Sequence, residues 1–193
     1  MDWHTLKEAV LSLYDKLHLV QTEYFHLWRG SILFTWRWWL ALAMLIIPWI
    51  VWFAVRKRES SGRLLCAGGI IASLSMLMDQ AGVTMHLWTY PTTVAPMMPS
   101  FLPFDLSAVP VATMLFLQFF PRMKLFWKAL IYAAGGTLFD FISDSIGLSV
   151  QEGWGWSSIY TFLILFFMYL LAYRIAHMEN FEPIDGNKVN GAA

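Results

Sequence analysis

The chain of 193 residues is short of the residue types that usually announce chemistry. Its one cysteine, Cys66, excludes a disulfide framework, a Cys-x-x-Cys redox pair and a thiolate zinc site. Charge is scarce as well: 13% of the residues are charged, against about 25% in a typical soluble domain. Thirteen Lys and Arg balance thirteen Asp and Glu, so no net field gathers polyanions, and nucleic acid is excluded as a partner. There is no Gly-x-Ser-x-Gly elbow, no His-Glu-x-x-His pair and no Gly-rich phosphate loop. No two histidines share an apolar segment, which argues against a haem held between helices, and no cofactor is expected.

What the chain has instead is apolar and aromatic surface. Hydrophobic residues make up 58% of it and aromatics 17%, including 11 Trp, a composition that suits interfacial belts at a bilayer. A hydrocarbon core of about 30 Å needs about 20 helical residues. Five segments meet or approach that length: 33–55, 64–85, 104–120, 126–148 and 156–175. The third is short, carries Pro110 and stops at Pro121. The expected fold is an all-α membrane protein with five transmembrane helices preceded by an N-terminal amphipathic helix. Its parts are an interfacial helix over 1–30, a transmembrane domain over 31–178 and a polar, disordered cytoplasmic tail over 179–193. The first 30 residues are amphipathic rather than basic-then-apolar, so no signal peptide is read there.

Basic residues orient the spans. With five crossings, Arg56, Lys57, Arg58, Arg63, Arg122, Lys124, Lys128, Arg174 and Lys188 fall on one side, and Lys7, Lys16, Arg29 and Arg37 on the other. The loops over 86–103 and 149–155 contain neither Lys nor Arg. The N-terminus is therefore expected outside and the C-terminus in the cytoplasm. In the first segment, Trp3, Leu6, Val10, Leu13, Leu17, Val20, Tyr24 and Leu27 recur at alternating steps of three and four, one apolar stripe on a helix. That stripe fits two roles. One is a seam for a protein partner or for self-association through residues 3–27. The other is a helix lying in the outer membrane interface, which Leu11, Leu19 and Phe25 favour by broadening the stripe.

Ionisable residues inside a membrane cost roughly 2.5–3.5 kcal/mol each on insertion scales, so they are the candidate functional groups. Here they are Asp79, Asp140 and Asp144, with His86 and Asp105 near the outer ends and Glu152 beyond them. At 1.5 Å per residue, Asp79 and Asp140 sit at nearly one depth, about 22 and 21 Å from the inner surface. Both belong to stripes of small and polar residues. One runs Gly68, Ala72, Ser75, Asp79, Gly82, His86, and the other Ala129, Ala133, Gly136, Asp140, Ser143, Gly147. The stripes are offset by 61 residues throughout, a pattern compatible with internal duplication. Small residues let membrane helices approach closely, so the second and fourth spans are expected to face each other or a common cavity. Carboxylates gathered at one depth must share a proton, bind a cation or take a basic partner. The alternative is a packing role, with each Asp protonated or bonded to Ser75, Ser143, a Trp or a Tyr. A hard metal on Asp oxygens stays open. Zinc is disfavoured, because only His86 accompanies the acids.

The loop over 88–105 reads WTYPTTVAPMMPSFLPFD. Pro91, Pro96, Pro99 and Pro103 forbid a regular helix, while Trp88, Tyr90, Met97, Met98 and Phe101 make the loop too apolar for open solvent. It is expected to fold back, either as a lid formed by Trp88, Tyr90, Met97 and Met98 or as an interfacial anchor. Trp154 and Trp156 read as belt residues.

The order Leu87-Trp88, Tyr90-Pro91, Pro96, Pro103-Phe104-Asp105, Pro110-Val111, Gln118, Phe120-Pro121, an acid in the fourth span, then Trp156 and Tyr160 resembles a family of small multi-pass membrane proteins from endospore-forming Firmicutes. The likeness covers residues 79–165. Where that family often has Glu-Pro in its fourth span, this chain has Phe139-Asp140 and Asp144 without the proline. The resemblance implies a bacterial cell membrane protein and points to the loop over 88–105 and its Asp; it implies no substrate. Together the residues predict an outward-facing acidic intramembrane site at Asp79, Asp105, Asp140, Asp144 and His86. It would bind, sense or transport a proton, a cation or an amine-bearing ligand, with the lipid bilayer as the surrounding partner. The alternatives are an accessory subunit of an envelope complex and, with least support, an intramembrane Asp/His hydrolase.

Overall fold

The computed structural model describes residues 1–98, 100–120, 122–151 and 157–178. These residues are mostly helical, and four helices are long and apolar enough to cross a membrane. The tail over 179–193, Glu152, Trp154 and Trp156 lie outside the described residues.

Helix α1 runs Trp3–Leu27. Asp2 caps it by accepting the Thr5 amide at 2.8 Å. That hydrogen bonding to Thr5 holds the Asp2 carboxyl below its usual range. No α1 residue is buried, so its apolar stripe stays open along the whole length. The helix continues into a π-helical turn, Trp28–Ile32, and the chain then breaks at Phe34, whose φ of 63° is left-handed. Helix α2 therefore starts at Trp36, three residues later than the apolar run suggests, with the Thr35 hydroxyl accepting from the Trp38 amide at 3.3 Å. It ends at Val55 and contains Pro48. Helix α3 spans Ser61–Thr84 after a short 3-10 turn, Arg58–Ser60.

The third apolar segment is a composite. A π-helical turn, Phe104–Ala108, leads into α4, Val109–Phe119. Pro110 falls in the first turn of α4, where its missing N–H is no loss. Together these 16 residues rise only about 24 Å, short of a full hydrocarbon core. Burial compensates, because neighbours on several sides close around the segment. The indole of Trp49 on α2 donates to the Leu106 carbonyl at 2.9 Å. The Gln118 side chain spans the α2–α3 junction, donating to the Val55 carbonyl at 2.9 Å and accepting from the Lys57 amide at 3.0 Å. Helices α5, Leu125–Ser145, and α6, Ser158–Ala176, form the closest helix pair.

Helix α3 packs chiefly on α4 and α6, while α5 packs chiefly on α6. The two small-residue stripes are therefore not each other's principal partners. Gly68 of α3 admits the Met114 side chain of α4, and Gly136 of α5 admits Leu165 of α6. Of the two arrangements the sequence allows, the common cavity is the one observed. The main core joins Ile71, Val109, Tyr132, Leu165, Met168 and Tyr169 from four helices.

The 61-residue offset extends past the stripes into the helix ends. In α3 the Leu87 amide donates to the Gly82 carbonyl at 3.0 Å, and in α5 the Leu148 amide donates to Ser143 at 2.9 Å. His86, φ 56°, and Gly147, φ 73°, supply the left-handed residue of each cap. Each cap leads to a two-residue strand that the sequence reading missed. These are β1, Trp88–Thr89, and β2, Val150–Gln151, paired antiparallel with Trp88 opposite Gln151. Strands this short carry no periodicity, and only the paired caps bring them together.

Among the described glycines, Gly82 is the most closely approached. A Cβ there would lie 2.0 Å from the Trp88 ring. Gly82→Ala should therefore destabilise by about 1–3 kcal/mol, as overpacking does. Gly69→Ala, which meets nothing within 4 Å, should be neutral or stabilising. Thermal unfolding of the purified protein in detergent, followed by tryptophan fluorescence, checks this ranking. Equal midpoints for the two variants would contradict it.

Candidate functional site

A cavity of about 90 Å³ lies where α3, α5 and α6 meet the 88–105 loop and the paired strands. Asp79, Asp105 and Asp140 all line it, with Ser75, Trp88, Tyr90, Ser149, Gln151 and Thr161. Among the described residues, no Lys or Arg belongs to its lining.

Asp79 sits in the last two turns of α3, buried at 6% exposure. Its Oδ1 accepts two short hydrogen bonds, from Trp88 Nε1 and from the Tyr90 hydroxyl, each at 2.6 Å. Its Oδ2 accepts the Phe101 amide at 2.8 Å. An indole N–H and a backbone N–H can only donate, so Asp79 meets its partners as an acceptor on both oxygens, the role of an ionised carboxylate. The loop is fastened at both ends by this one side chain. Tyr90 stacks on Phe101 with ring centroids 5.0 Å apart, which closes the loop on itself. Burial first, then the adjacent Asp79 charge, pushes the Tyr90 hydroxyl well above its ordinary range, so it remains a neutral donor.

Further along, the loop is tied to the N-terminal half of the chain. Trp28 Nε1 donates to the Thr93 carbonyl at 2.8 Å, and Trp38 Nε1 to the Val94 carbonyl at 3.2 Å. The Tyr24 and Thr93 hydroxyls are 3.1 Å apart. Trp88 and Tyr90 line the cavity, whereas Met97 and Met98 are 84% and 46% exposed and do not. Of the four expected lid residues, two are thus at the site and two are away from it.

Asp105 was expected near the mouth. The π-helical turn instead drives it inward, to 1% exposure. Ser75 donates to its Oδ1, while Oδ2 is buried with no hydrogen-bond partner. Asp105 lies close enough to Asp79 for the two carboxyls to interact directly, through charge and through a proton held between them. Two such carboxylates cannot both carry bare charge in a medium of low dielectric, so a proton or a cation must offset one of them. Asp140 approaches from α5, half-buried, with the Thr161 hydroxyl of α6 at 3.4 Å from its Oδ2. Ser149 lines the same cavity, and its Oγ is also buried without a partner.

Two expected members are absent from the lining. Asp144 is exposed one turn beyond Asp140. His86 is exposed, its left-handed backbone serving the α3 cap, so it supplies no base to the acids. Among the described residues, no group of three or more His, Cys, Asp or Glu is arranged to hold a metal ion. Ser149, Gln151 and Thr161 escaped the sequence reading. Thr161 carries a weak signal, as a polar residue in the first turn of an apolar helix, whereas Ser149 and Gln151 enter only through the strand pairing.

Asp79→Ala would strand three donors, two of them from side chains packed against the cavity. Each buried unsatisfied donor costs about 1–3 kcal/mol, so this variant should lose several kcal/mol of stability. Asp79→Asn keeps one acceptor oxygen but turns an amide N–H₂ towards a donor, and should fall between Ala and wild type. Chemical denaturation in mild detergent reads the order, and an Asp79→Ala protein as stable as wild type would refute the clasp. No protein-family model, no curated protein and no solved structure matches this chain, so the chemistry of the site has to be argued from its own geometry.

Proposed function

We propose that this is a five-span membrane protein whose outward-facing acidic cavity binds a small protonated amine or monovalent cation in exchange for a proton. The observation that carries the reading is Asp105 Oδ2, buried in a cavity of three carboxylates and left without a partner. Asp79 is occupied by its three donors, so Asp105 is the acid that holds the exchangeable proton, and Asp140 supplies the opposite wall. A cation entering between them replaces that proton and restores the charge balance. Protons compete with it, so affinity falls as pH drops, by up to about tenfold per pH unit for one displaced proton.

The fifth crossing in this reading is the composite segment Phe104–Phe119. Its short rise is tolerable because the other helices, rather than lipid, cover much of it. The Lys/Arg asymmetry puts the α2–α3 and α4–α5 connections in the cytoplasm and the cavity in the outer half. Helix α1 lies on the outer surface with its open stripe in the interface. The same open stripe supports the second reading, an accessory subunit whose partner covers α1.

Two experiments test these points. In a Cys66→Ser background, a cysteine at Ala95 should react with an impermeant maleimide from outside intact cells. A cysteine at Ser60 should react only after permeabilisation, and the reverse pattern would overturn the orientation. For the site, isothermal titration of the purified protein with methylammonium, in two buffers of different ionisation enthalpy, should register binding with proton release. Asp105→Asn should remove both signals, and a variant that binds and releases protons like wild type would overturn the assignment.

A further inference from the structure

A second cavity of about 210 Å³ lies between α4, α5 and α6 and shares two of its wall residues, Phe104 and Leu165, with the acidic cavity. Its character is the opposite of its neighbour's. Among the described residues, no charged side chain lines it and Tyr132 is the one polar side chain that does. The Tyr132 hydroxyl is engaged by Thr113 at 2.8 Å and the Val109 carbonyl at 3.2 Å. Missing side chains make the space: Ala112, Gly135 and Gly136 contribute to the wall, and a Cβ at Gly135 would meet nothing within 4 Å. Gly135 and Ile131 are exposed, so the groove opens on the outer face of α5, where lipid would lie. Phe104 stacks on Phe139 at 5.7 Å on the groove wall, and Asp140, the next residue, turns into the acidic cavity.

We propose that the two cavities form one binding site for a single-chain amphiphile, with a protonated primary amine among Asp105, Asp140 and Asp79 and an alkyl chain in the groove. The inference rests on the acidic cavity binding a cation and adds the class of ligand that carries it. Charge complementarity selects the head: three carboxyls, with no basic residue among the described lining, favour an ammonium and reject a phosphate or carboxylate. Adjacency selects the tail: Phe104 and Leu165 form a wall common to both cavities, and a chain attached to a head in the first cavity would have to displace these side chains to reach the apolar space beyond. The opening beside Gly135 offers entry from the membrane, and the ammonium would travel from there to the acids along the shared wall.

A chain-length series on the protein in nanodiscs of zwitterionic lipid tests this. Methylammonium reads the head alone, and butyl- and hexylammonium add the chain. Affinity should rise about threefold to fourfold per methylene buried, on the order of a hundredfold or more from methyl to hexyl. Gly135→Leu, which fills the groove without a backbone clash, should flatten the series while leaving methylammonium binding unchanged. Ala112→Leu provides an independent filling from α4. Hexanol, with the same chain and no charge, should compete at least tenfold more weakly than hexylammonium. Methylammonium binding with no gain from the chain, or a gain untouched by both groove variants, overturns this inference and leaves the cation site standing. Hexanol competing as well as hexylammonium overturns the ammonium head. Absence of binding by every amine overturns the site and the inference together.

Discussion

The arrangement around the 88–105 loop depends on one carboxylate. Asp79 gathers an indole, a phenol and a backbone amide from both ends of the 88–105 loop, and all three bonds are at or below 2.8 Å. Without an acceptor there, a segment with four prolines could not cover its own polar groups, since prolines contribute no N–H and prevent a helix. The clasp also fixes what surrounds it. Trp88 is held over Gly82, in a space that no Cβ can share, and the pairing of Trp88 with Gln151 brings the α5–α6 connection to the same cavity. The loop then turns Asp105 into the interior through the amide of Asp105 itself, which donates to the Phe101 carbonyl at 3.1 Å. One acid thus determines where the second is buried.

This division of labour separates structure from chemistry among residues of the same type. A carboxylate satisfied on both oxygens is a poor ligand, because any incoming cation must compete with donors already in place. A carboxyl with one oxygen unpartnered and buried has free capacity, and its cost is offset only when a proton or a cation is present. By that criterion Asp79 is a fastener and Asp105 is the acid with spare hydrogen-bonding capacity, although depth alone ranks Asp79 first. Asp140 is intermediate, half-buried and with a long contact to Thr161.

Much of the fold was legible in the sequence because long apolar runs are set by the thickness of hydrocarbon. The runs at 33–55, 64–85, 126–148 and 156–175 correspond to the four long helices, with ends shifted by a few residues. The shifts have local causes, a left-handed Phe34 before α2 and left-handed caps at His86 and Gly147. The matched depth of Asp79 and Asp140 was also legible, since rise per residue is constant. What was not legible depended on contacts far apart in sequence. The inward turn of Asp105 follows from a π-helical segment that no spacing rule marks. His86 continues the spacing of the α3 stripe, yet α3 ends at Thr84, two residues before His86, whose left-handed backbone reverses the chain. Met97 and Met98 were grouped with Trp88 and Tyr90 by composition, but only the latter pair carries donors that Asp79 can hold.

The shared geometry of α3 and α5 connects the fold to the site. Each helix carries small residues on the face that packs, places an acid at corresponding positions, and ends in the same hydrogen-bonded cap 61 residues apart. Equal caps aim the following residues in comparable directions, and the two exits meet as the antiparallel pair β1–β2. The cavity is therefore bounded by two similar helix ends, with α6 packed on both helices behind them. Their neighbours differ. Alongside α3 the loop brings Trp88, Tyr90 and the Phe101 amide to its acid, whereas alongside α5 the Thr161 hydroxyl of α6 lies 3.4 Å from its acid. Similar helix ends thus meet different neighbours, and which acid is clasped is a consequence of how the loop is distributed between two otherwise matched helices.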